Sequence, residues 1–315
     1  MEYVHLGNTK LNVSRICFGS LTVGPVQANL SLEDGAQILA YGIERGINFF
    51  DTAQLYQTYP YIRRAMEITR KFDTIVASKT YAYTRKLAVE AVDQARRELN
   101  RDYIDIFLLH EQESVYTLEG HKDALDYLFE CKEKGIIKAV GASMHHVAAV
   151  KGAIEKKLDI IHPMLNVAGL GIVDGSRQDM ENAVKSAFDK NMGVYSMKSL
   201  GGGNLFKKAA DCLDYITALD YIDSVAIGMQ DIDEIDANIE FFENKSFSET
   251  AKQKLFNKKR KIHIDDWCIA CGKCVKRCGQ NALYIDDNTA KCDPTKCVLC
   301  GYCSTVCPEW AIKVI

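Results

Sequence analysis

The 315-residue sequence contains no apolar run that approaches the ~20 residues of a membrane-spanning helix. Neither sign of charge dominates, because 39 Lys and Arg residues stand against 42 Asp and Glu residues. This balance favours neither nucleic acid nor a membrane surface as a partner. The first residues, Met1-Glu-Tyr-Val-His5, lack the basic and apolar regions of a secretory signal. We therefore expect a soluble protein of the cytoplasm.

Cysteine is scarce over most of the chain and crowded near its end. Three of the twelve cysteines precede Cys268, and the other nine lie between Cys268 and Cys307. A secreted disulfide-rich domain is also dense in cysteine, but it normally carries a signal peptide and needs no fixed spacing. The pattern therefore indicates a reducing compartment and cysteines that bind metal.

These cysteines follow the motif CxxCxxCxxxC twice, and Pro308 follows the second copy. Three cysteines spaced in this way direct their thiolates at one cubane, and the fourth reaches the other cluster. We predict two [4Fe–4S] clusters: the first is held by Cys268, Cys271, Cys274 and Cys307, and the second by Cys278, Cys297, Cys300 and Cys303. Zinc is the weaker alternative, because its sites use two CxxC pairs separated by a spacer. Residues 262–315 resemble bacterial two-cluster ferredoxins, and Cys292 lies outside both motifs.

The chain in front of this tail alternates short apolar runs with helical patterns, which is typical of repeated β-α units. The predicted strands are Ile16–Leu21, Ile47–Asp51, Thr74–Lys79, Ile104–His110, Ile136–Ala142, Ile160–Asn166, Gly193–Lys198 and Ser224–Gly228. Eight units predict an α/β fold, a closed (β/α)8 TIM barrel, with a small α+β ferredoxin-like domain after it. An open parallel sheet is the alternative, although neither a P-loop nor GxGxxG follows any predicted strand.

Four polar residues are expected at the mouth of this barrel, where the C-terminal ends of the strands carry the chemistry. Asp51, Lys79 and His110 close the second, third and fourth predicted strands. Tyr56 follows in the loop after Asp51. An ammonium group beside a phenol lowers the pKa of the phenol, and a histidine can bind a carbonyl oxygen. The set predicts protonation of an oxyanion while a hydride reaches the adjacent carbon.

Residues 1 to about 242 resemble the aldo-keto reductase family. The order and spacing of Asp51, Tyr56, Lys79 and His110 match that family, and Leu6–Ser14 looks like its opening hairpin. The resemblance implies that Tyr56 is the general acid and that His110 orients the substrate. It further implies that Lys79 and Asp51 tune the tyrosine.

The resemblance also implies a nucleotide cofactor at the mouth. Tyr195 stands where the family stacks an aromatic ring on nicotinamide, and Ser143 and Asn166 stand where it holds the carboxamide. The remaining candidates for cofactor binding are Lys198, Ser199, Gly201, Gly202, Gly203 and Gly228. Glycine amides bind phosphate oxygens, although a glycine run is equally typical of a flexible loop. Glu234 would repel a 2′-phosphate, so NADH is favoured over NADPH.

Residues 244–261 interrupt the β-α pattern with seven Lys or Arg residues and one Glu. We predict a basic linker between the barrel, residues 1–243, and the ferredoxin-like domain, residues 262–315. The alternative is a docking surface for an acidic electron-transfer protein.

The fusion itself predicts a redox enzyme. A ferredoxin moves single electrons and a hydride carries two, so a flavin is a suitable converter between them. We expect an oxidoreductase for a small carbonyl or alcohol substrate whose clusters relay electrons to or from a protein partner. Two alternatives are a plain NAD(P)H-dependent carbonyl reductase with structural clusters, and an electron carrier with a vestigial barrel.

Overall fold

A closed barrel of eight parallel strands forms the centre of the computed structural model, which describes residues 1–315 apart from the side chain of residue 256. The barrel strands are β3 (Ile16–Gly19), β4 (Phe49–Asp51), β5 (Ile75–Thr80), β6 (Ile104–Gln112), β7 (Ile137–Met144), β8 (Ile160–Pro163), β9 (Gly193–Met197) and β10 (Ser224–Gly228). The barrel closes where β10 pairs in parallel with β3. The predicted (β/α)8 fold is therefore confirmed. A hairpin of β1 (Tyr3–His5) and β2 (Asn12–Ser14) precedes it.

Helices alternate with these strands along the chain. They are α1 (Leu32–Glu44), α2 (Tyr59–Thr69), α3 (Arg85–Leu99), α4 (Val115–Gly120), α5 (Lys122–Glu133), α6 (Val147–Glu155), α7 (Arg177–Phe188), α8 (Ala209–Thr217), α9 (Ile232–Asn244) and α10 (Glu249–Asn257). Side chains such as Ser31 and Asp231 cap the first turns by accepting backbone N–H bonds from Asp34 and Glu234. Apolar faces of the helices pack on the outside of the strands in one large buried cluster.

The interior of the barrel is a second apolar cluster, which fills the end opposite the mouth. Leu6, Leu11 and Val13 of the hairpin region pack there against inward-facing strand residues such as Phe49 and Ile106. Because this plug closes one end with hydrocarbon, polar groups of the strands collect at the other end.

The segment predicted as a basic linker contains α10 and is bound to the barrel by ion pairs. Lys254 lies 2.7 Å from Asp233, and Lys258 lies 2.7 Å from both Asp231 and Glu234. These lysines therefore neutralise acidic residues at the start of α9, and a docking surface for an acidic protein stays a prediction.

The C-terminal region consists of two short antiparallel strand pairs, one short α-helix and a 3-10 turn at Ser304–Val306. Its elements are β11 (Ile262–Ile264), α11 (Lys273–Arg277), β12 (Leu283–Asp286), β13 (Thr289–Cys292) and β14 (Ile312–Val314). Strand β14 pairs with β11, and β12 pairs with β13. The backbone N–H of Val314 donates to the carbonyl of Gly202 at 3.1 Å, so β14 is attached to the loop that follows β9.

Candidate active site and cluster sites

The four residues predicted to be catalytic lie together at the mouth of the barrel. Lys79 Nζ donates to Asp51 Oδ2 at 2.7 Å and to the carbonyl of Thr52 at 2.8 Å. Tyr56 ends a short 3-10 turn after β4, and its hydroxyl lies 3.4 Å from His110 Nε2. Adjacent strands carry Asp51, Lys79 and His110, so the order of the barrel strands brings them together.

The net shift of the Tyr56 pKa is upward, whereas the sequence led us to expect a lowering by Lys79. Lys79 Nζ lies 4.9 Å from the centre of the Tyr56 ring, and its hydrogen bonds go to Asp51 and Thr52. Burial, followed by the negative charges of Asp51 and Glu111, raises the pKa of Tyr56 well above its ordinary value. The phenol therefore keeps its proton at neutral pH, as a proton donor must.

His110 is held as a neutral imidazole. Burial and then the charge of Lys79 lower its pKa well below the ordinary value. Its ring stacks on Tyr81 at 4.4 Å between centroids, and the Tyr81 hydroxyl donates to Glu111 at 2.6 Å. His110 Nδ1 is buried without a hydrogen-bond partner among the described residues, which leaves Nε2 as the nitrogen that faces Tyr56.

Tyr195 occupies a different place from the one expected for stacking on nicotinamide. Its side chain is fully buried, its ring stacks on His162 at 3.9 Å, and Phe49 covers it from 5.0 Å. The Tyr195 hydroxyl donates to Asp51 Oδ1 at 3.0 Å. Because the strand directs this residue into the barrel, Tyr195 supports Asp51 and offers no free face to a cofactor.

The two residues expected to hold a carboxamide are engaged by the protein's own backbone. Ser143 Oγ accepts a hydrogen bond from the N–H of Glu111 at 2.8 Å. Asn166 donates to the carbonyl of Leu170 and accepts from its N–H, both at 2.9 Å. Strand β8 ends at Pro163, since proline lacks an N–H for the ladder, so Asn166 lies in a loop. In this structure Ser143 and Asn166 organise loops at the mouth.

The glycine loop after β9 binds the C-terminal strand. Gly201, Gly202 and Gly203 all adopt positive φ angles. A Cβ on Gly203 would lie 2.0 Å from the carbonyl oxygen of Val314, so only glycine allows this approach. The loop is therefore held in place by β14, and Gly202 and Gly203 still line the mouth cavity, so phosphate binding by this loop stays a prediction.

Lys198 introduces a cation beside this loop. Its Nζ lies 3.2 Å from His145 Nε2 and 5.7 Å from the centre of the Trp310 ring. Burial, and next the charge of Lys313, lower the pKa of Lys198 to about 7. Lys313 belongs to β14 and is itself buried, with Nζ 2.8 Å from Asp265 Oδ2.

These groups line one cavity of about 210 Å³ between the barrel and the C-terminal region. The barrel contributes Asp51 and Tyr56 to its wall, and β14 contributes Lys313 and Val314. Among the nine residues predicted to bind a cofactor, those in the cavity wall are Lys198, Ser199, Gly202, Gly203 and Gly228. The ferredoxin-like region thus forms part of the wall of the barrel's own site.

The preference for NADH over NADPH stays a prediction, and the charge of Glu234 does not support it in the folded protein. Glu234, whose charge was expected to repel a 2′-phosphate, pairs with Lys258 at 2.7 Å and with Arg260 at 3.6 Å. Its other oxygen accepts the N–H of Gln230 at 2.9 Å. Basic residues from the segment after α9 therefore neutralise this carboxylate.

Sequence reasoning missed the residues that the C-terminal region supplies to the cavity. The two cysteine runs are offset by 29 residues, so Trp310 corresponds to Asn281 and Lys313 corresponds to Tyr284. Trp310 and Asn281 both have positive φ, which shows that the two halves share a backbone path. The second half has Trp310 and Lys313 where the first half has Asn281 and Tyr284. This difference between the halves could have indicated which face of the domain contacts the barrel.

The predicted ligands of the first cluster line one cavity of the C-terminal region. Cys268, Cys271, Cys274 and Cys307 all contribute to its wall, as the interleaved pattern of two runs requires. Backbone N–H groups of Ala290 and Ala311 point at the sulfurs of Cys268 and Cys307, at 3.4 and 3.3 Å. Such N–H···S bonds stabilise thiolates and tune the reduction potential of a cluster.

The second set of ligands lies in the other half of this region. Burial and then the thiol of Cys300 raise the pKa of Cys303, and Cys297 adds to the effect. Cys278 packs against the same small core as Cys303 and accepts an N–H bond from Ala282 at 3.3 Å. Cys292, outside both motifs, packs there as well.

Thiolate sulfurs and N–H donors are the groups that hold a [4Fe–4S] cubane, so both cysteine sets fit such clusters. Within the described residues, no three His, Cys, Asp or Glu side chains converge closely enough to hold a single metal ion. When bound, each cluster supplies one-electron chemistry.

Comparison with known proteins agrees with this architecture. The model of the aldo/keto reductase family matches residues 15–215, and that of the 4Fe-4S dicluster domain matches residues 267–311. An L-galactose dehydrogenase of Arabidopsis thaliana is 23% identical over 285 residues, covering 76% of this chain and 87% of that protein. One component of an ion-translocating oxidoreductase complex of Methanosarcina acetivorans is 40% identical over 47 residues, covering 15% of this chain and 18% of that protein.

Solved structures show the same fold. An aldo-keto reductase of Bacillus halodurans superposes with a TM-score of 0.66 at 20% identity, covering 81% of this chain and 95% of that one. The chain belongs to the aldo-keto reductase family. It is an oxidoreductase that carries, after its barrel, a ferredoxin domain of the two-[4Fe–4S] type. Among the described helices, none has both the length and the apolar character needed to cross a membrane.

Proposed function

We propose that this oxidoreductase interconverts a small carbonyl compound and its alcohol at the barrel mouth, and that its two clusters relay electrons between that mouth and a protein partner. Tyr56 donates the proton to the carbonyl oxygen in the direction of reduction. His110 binds the same oxygen through Nε2. Lys79 and Asp51 form an ion pair at the bottom of the site. The Tyr195 hydroxyl donates a hydrogen bond to the other carboxylate oxygen of Asp51.

The observation that carries this proposal is the shared cavity. Tyr56 and Asp51 line it from the barrel, and Lys313 and Val314 line it from the ferredoxin domain. A ferredoxin domain that served only as a structural appendage would not need to supply a buried lysine to the wall of the catalytic cavity. Lys313 is paired with Asp265 of the same domain, so the domain places a buried ion pair beside the cavity.

The Tyr56 phenol is protonated at neutral pH, which is the state that reduction of a carbonyl requires, and its raised pKa makes it a weaker acid than a free phenol. Reduction of a carbonyl to an alcohol consumes two electrons and two protons. A phenol that remains protonated at neutral pH can supply one of these protons, whereas oxidation would require the phenolate.

The proposal is tested by the rate at which carbonyl compounds reoxidise the clusters. Clusters of the anaerobic protein are reduced with dithionite, the excess is removed, and a panel of aldehydes and ketones is added while cluster absorbance is followed. We expect one class to restore the absorbance, and Tyr56→Phe to slow this by about 10²–10⁴-fold, the usual contribution of general acid catalysis.

The matched control is Tyr116→Phe, which removes the same hydroxyl from a side chain that is 82% exposed on α4. We expect this variant to reoxidise at the wild-type rate. Equal rates for the wild type and Tyr56→Phe would contradict the role of Tyr56 and would favour an electron carrier with a vestigial barrel.

A plain NAD(P)H-dependent reductase is the second candidate, and one observation favours it. The cavity extends from Tyr56 past Ser199 to Gly228 and Gln230, along the loops that follow β9 and β10. Carbonyl reduction by NADH or NADPH that persists after the clusters have been removed would select this candidate.

A further inference from the structure

Strand β14 contributes residues to the walls of two cavities. Ile312 lines the cavity that contains the four cysteines of the first cluster. Lys313 and Val314 line the cavity that contains Tyr56. The first cluster and a group bound at the mouth would therefore share one strand as part of their surroundings.

The mouth cavity contains one cation that has no carboxylate partner. Arg260 and Lys313 line the cavity, and each lies within 4 Å of a carboxylate, that of Glu234 or Asp265. Lys198 also lines it, but among the residues the structure describes no Asp or Glu oxygen lies within 4 Å of its Nζ. Its hydrogen-bond partner is His145, which burial keeps neutral by lowering its pKa. An anion supplied by a ligand would stabilise the charged form of this partly buried amine.

The rest of the wall suits a flat apolar ring. Side chains that line the cavity and present hydrocarbon are those of Leu21, Met197, Leu200, Phe206 and Ile227. The residues expected to bind nicotinamide make other contacts. His162 and Phe49 pack against the ring of Tyr195, and Ser143 and Asn166 form hydrogen bonds with backbone groups.

We infer that the mouth cavity binds a phosphorylated flavin of the mononucleotide class, whose phosphate lies between Lys198 of the barrel and Lys313 of the ferredoxin domain. This inference rests on the proposed function, because the clusters release one electron each whereas carbonyl reduction consumes two electrons and two protons. The reductant is an external one-electron carrier protein, and the oxidant is the carbonyl compound. A flavin exchanges electrons singly and in pairs, and a nicotinamide transfers hydride.

The glycine loop, which a dinucleotide would use, is occupied by β14 of the same chain, because the N–H of Val314 pairs with the carbonyl of Gly202. This contact favours a mononucleotide over a dinucleotide.

The test is calorimetric titration of the cluster-loaded full-length protein, under argon at pH 7, with FMN and with riboflavin. The two ligands share the ring and differ in the phosphate. We expect FMN to bind at least about tenfold more tightly than riboflavin, the gain of one charge-assisted hydrogen bond. Lys313→Gln should lower the affinity for FMN by about tenfold and change the affinity for riboflavin by no more than about twofold.

Lys276→Gln is the matched control, since it removes the same charge from the same domain at an exposed position of α11. It should change neither affinity. Lys198→Gln is the second variant, because the loss of the Lys313–Asp265 pair could disturb β14 in the first one. Cluster absorbance is recorded for every variant to establish that both clusters are present.

Three results would overturn the inference: riboflavin binding as tightly as FMN, Lys198→Gln and Lys313→Gln both leaving FMN affinity unchanged, or NADH binding where FMN does not. Failure of the proposed function is separately visible. Tyr56→Phe should leave FMN affinity unchanged within about twofold and slow carbonyl-dependent cluster oxidation by about 10²–10⁴-fold. If FMN binds as expected but Tyr56→Phe has no effect on cluster oxidation, the flavin site stands and the proposed function is rejected. If carbonyl reduction depends on NADH and on Tyr56, the role of Tyr56 stands and the flavin site is rejected.

Discussion

Lys198 follows β9 in a left-handed conformation, with φ of 58°, and its ammonium group lies beside His145. Several ionisable groups face it across the cavity. His145 is neutral, Lys313 and Lys79 lower the pKa of Lys198, and Glu111 and Asp265 raise it. Burial is the largest cause, and the resulting pKa of about 7 places the charge of this residue within the physiological pH range.

This value predicts the pH dependence of flavin binding. Below pH 7 Lys198 carries its proton and attracts the phosphate, and above pH 7 it loses that charge. The phosphate of FMN is a dianion above about pH 6, so its own charge is constant in the upper range. We expect the Kd for FMN to rise by about tenfold between pH 7 and pH 9 in calorimetric titrations.

Lys198→Gln should bind FMN with the same weak affinity from pH 7 to pH 9, and riboflavin binding by the wild type should be flat as well. A wild-type affinity for FMN that does not change over this range would show that Lys198 makes no contact with the phosphate.

At the scale of elements, the glycine loop and β14 form the joint between the domains. Val314 donates to the Gly202 carbonyl, and Asn204 Nδ2 donates to the carbonyl of Ile312 at 3.3 Å. Lys207 reaches the carbonyl of Val298 at 3.1 Å, next to the second set of cysteines. The loop that a dinucleotide would use is thus shaped to receive a strand of the same chain.

We predict that Gly203→Ala weakens this joint. The new Cβ would approach the Val314 oxygen to 2.0 Å, and alanine would have to adopt a φ of +81°. The left-handed backbone alone costs about 1–2 kcal/mol for a residue with a Cβ, and the clash adds to it. Hydrogen exchange should accelerate in β11 and β14 and remain slow in β5 and β6.

The control for this variant is Gly135→Ala after α5. Gly135 has a φ of +72° but no atom within 4 Å of the added Cβ, so it carries the backbone cost without the clash. If both variants accelerate exchange in β14 equally, or neither does, the contact between Gly203 and Val314 does not hold the domains together.

At the scale of the whole molecule, a large barrel with its own core carries a small domain that has very little core. The ferredoxin domain has a buried cluster of five residues, Cys274, Leu283, Ala290, Cys303 and Ile312, and two of these are predicted cluster ligands. So small a core cannot offset the entropy of ordering about fifty residues, and metal coordination usually supplies the difference.

Removal of both clusters with a chelator and an oxidant should therefore unfold residues 262–315 and leave the barrel intact. We expect amides of β11 to β14 to exchange within seconds, whereas those of β3 to β10 keep their protection. FMN affinity should fall as well, because Lys313 would leave the cavity. A cluster-free protein whose β14 remains protected would show that contacts with the barrel suffice to order the domain.

Local patterns carried much of what the sequence predicted. The period of strands and helices is a local property of each segment, and it predicted the eight strands and hence the barrel. Cluster motifs are equally local, because two or three residues between cysteines suffice to direct neighbouring thiolates at one cluster. Residues at strand ends could be placed at the mouth for the same reason, as Asp51, Lys79 and His110 are.

The sequence by itself therefore determined the two domains' folds, the type of metal cluster and the region of the barrel where polar groups meet. Only the tertiary structure decided which partners those groups take. The low pKa expected for Tyr56 became a raised one through burial, and Tyr195 turned from a cofactor contact into a support for Asp51. The joint at Gly202 and the cavity lysine Lys313 depend on segments more than one hundred residues apart, whose approach is set by packing and by no local pattern.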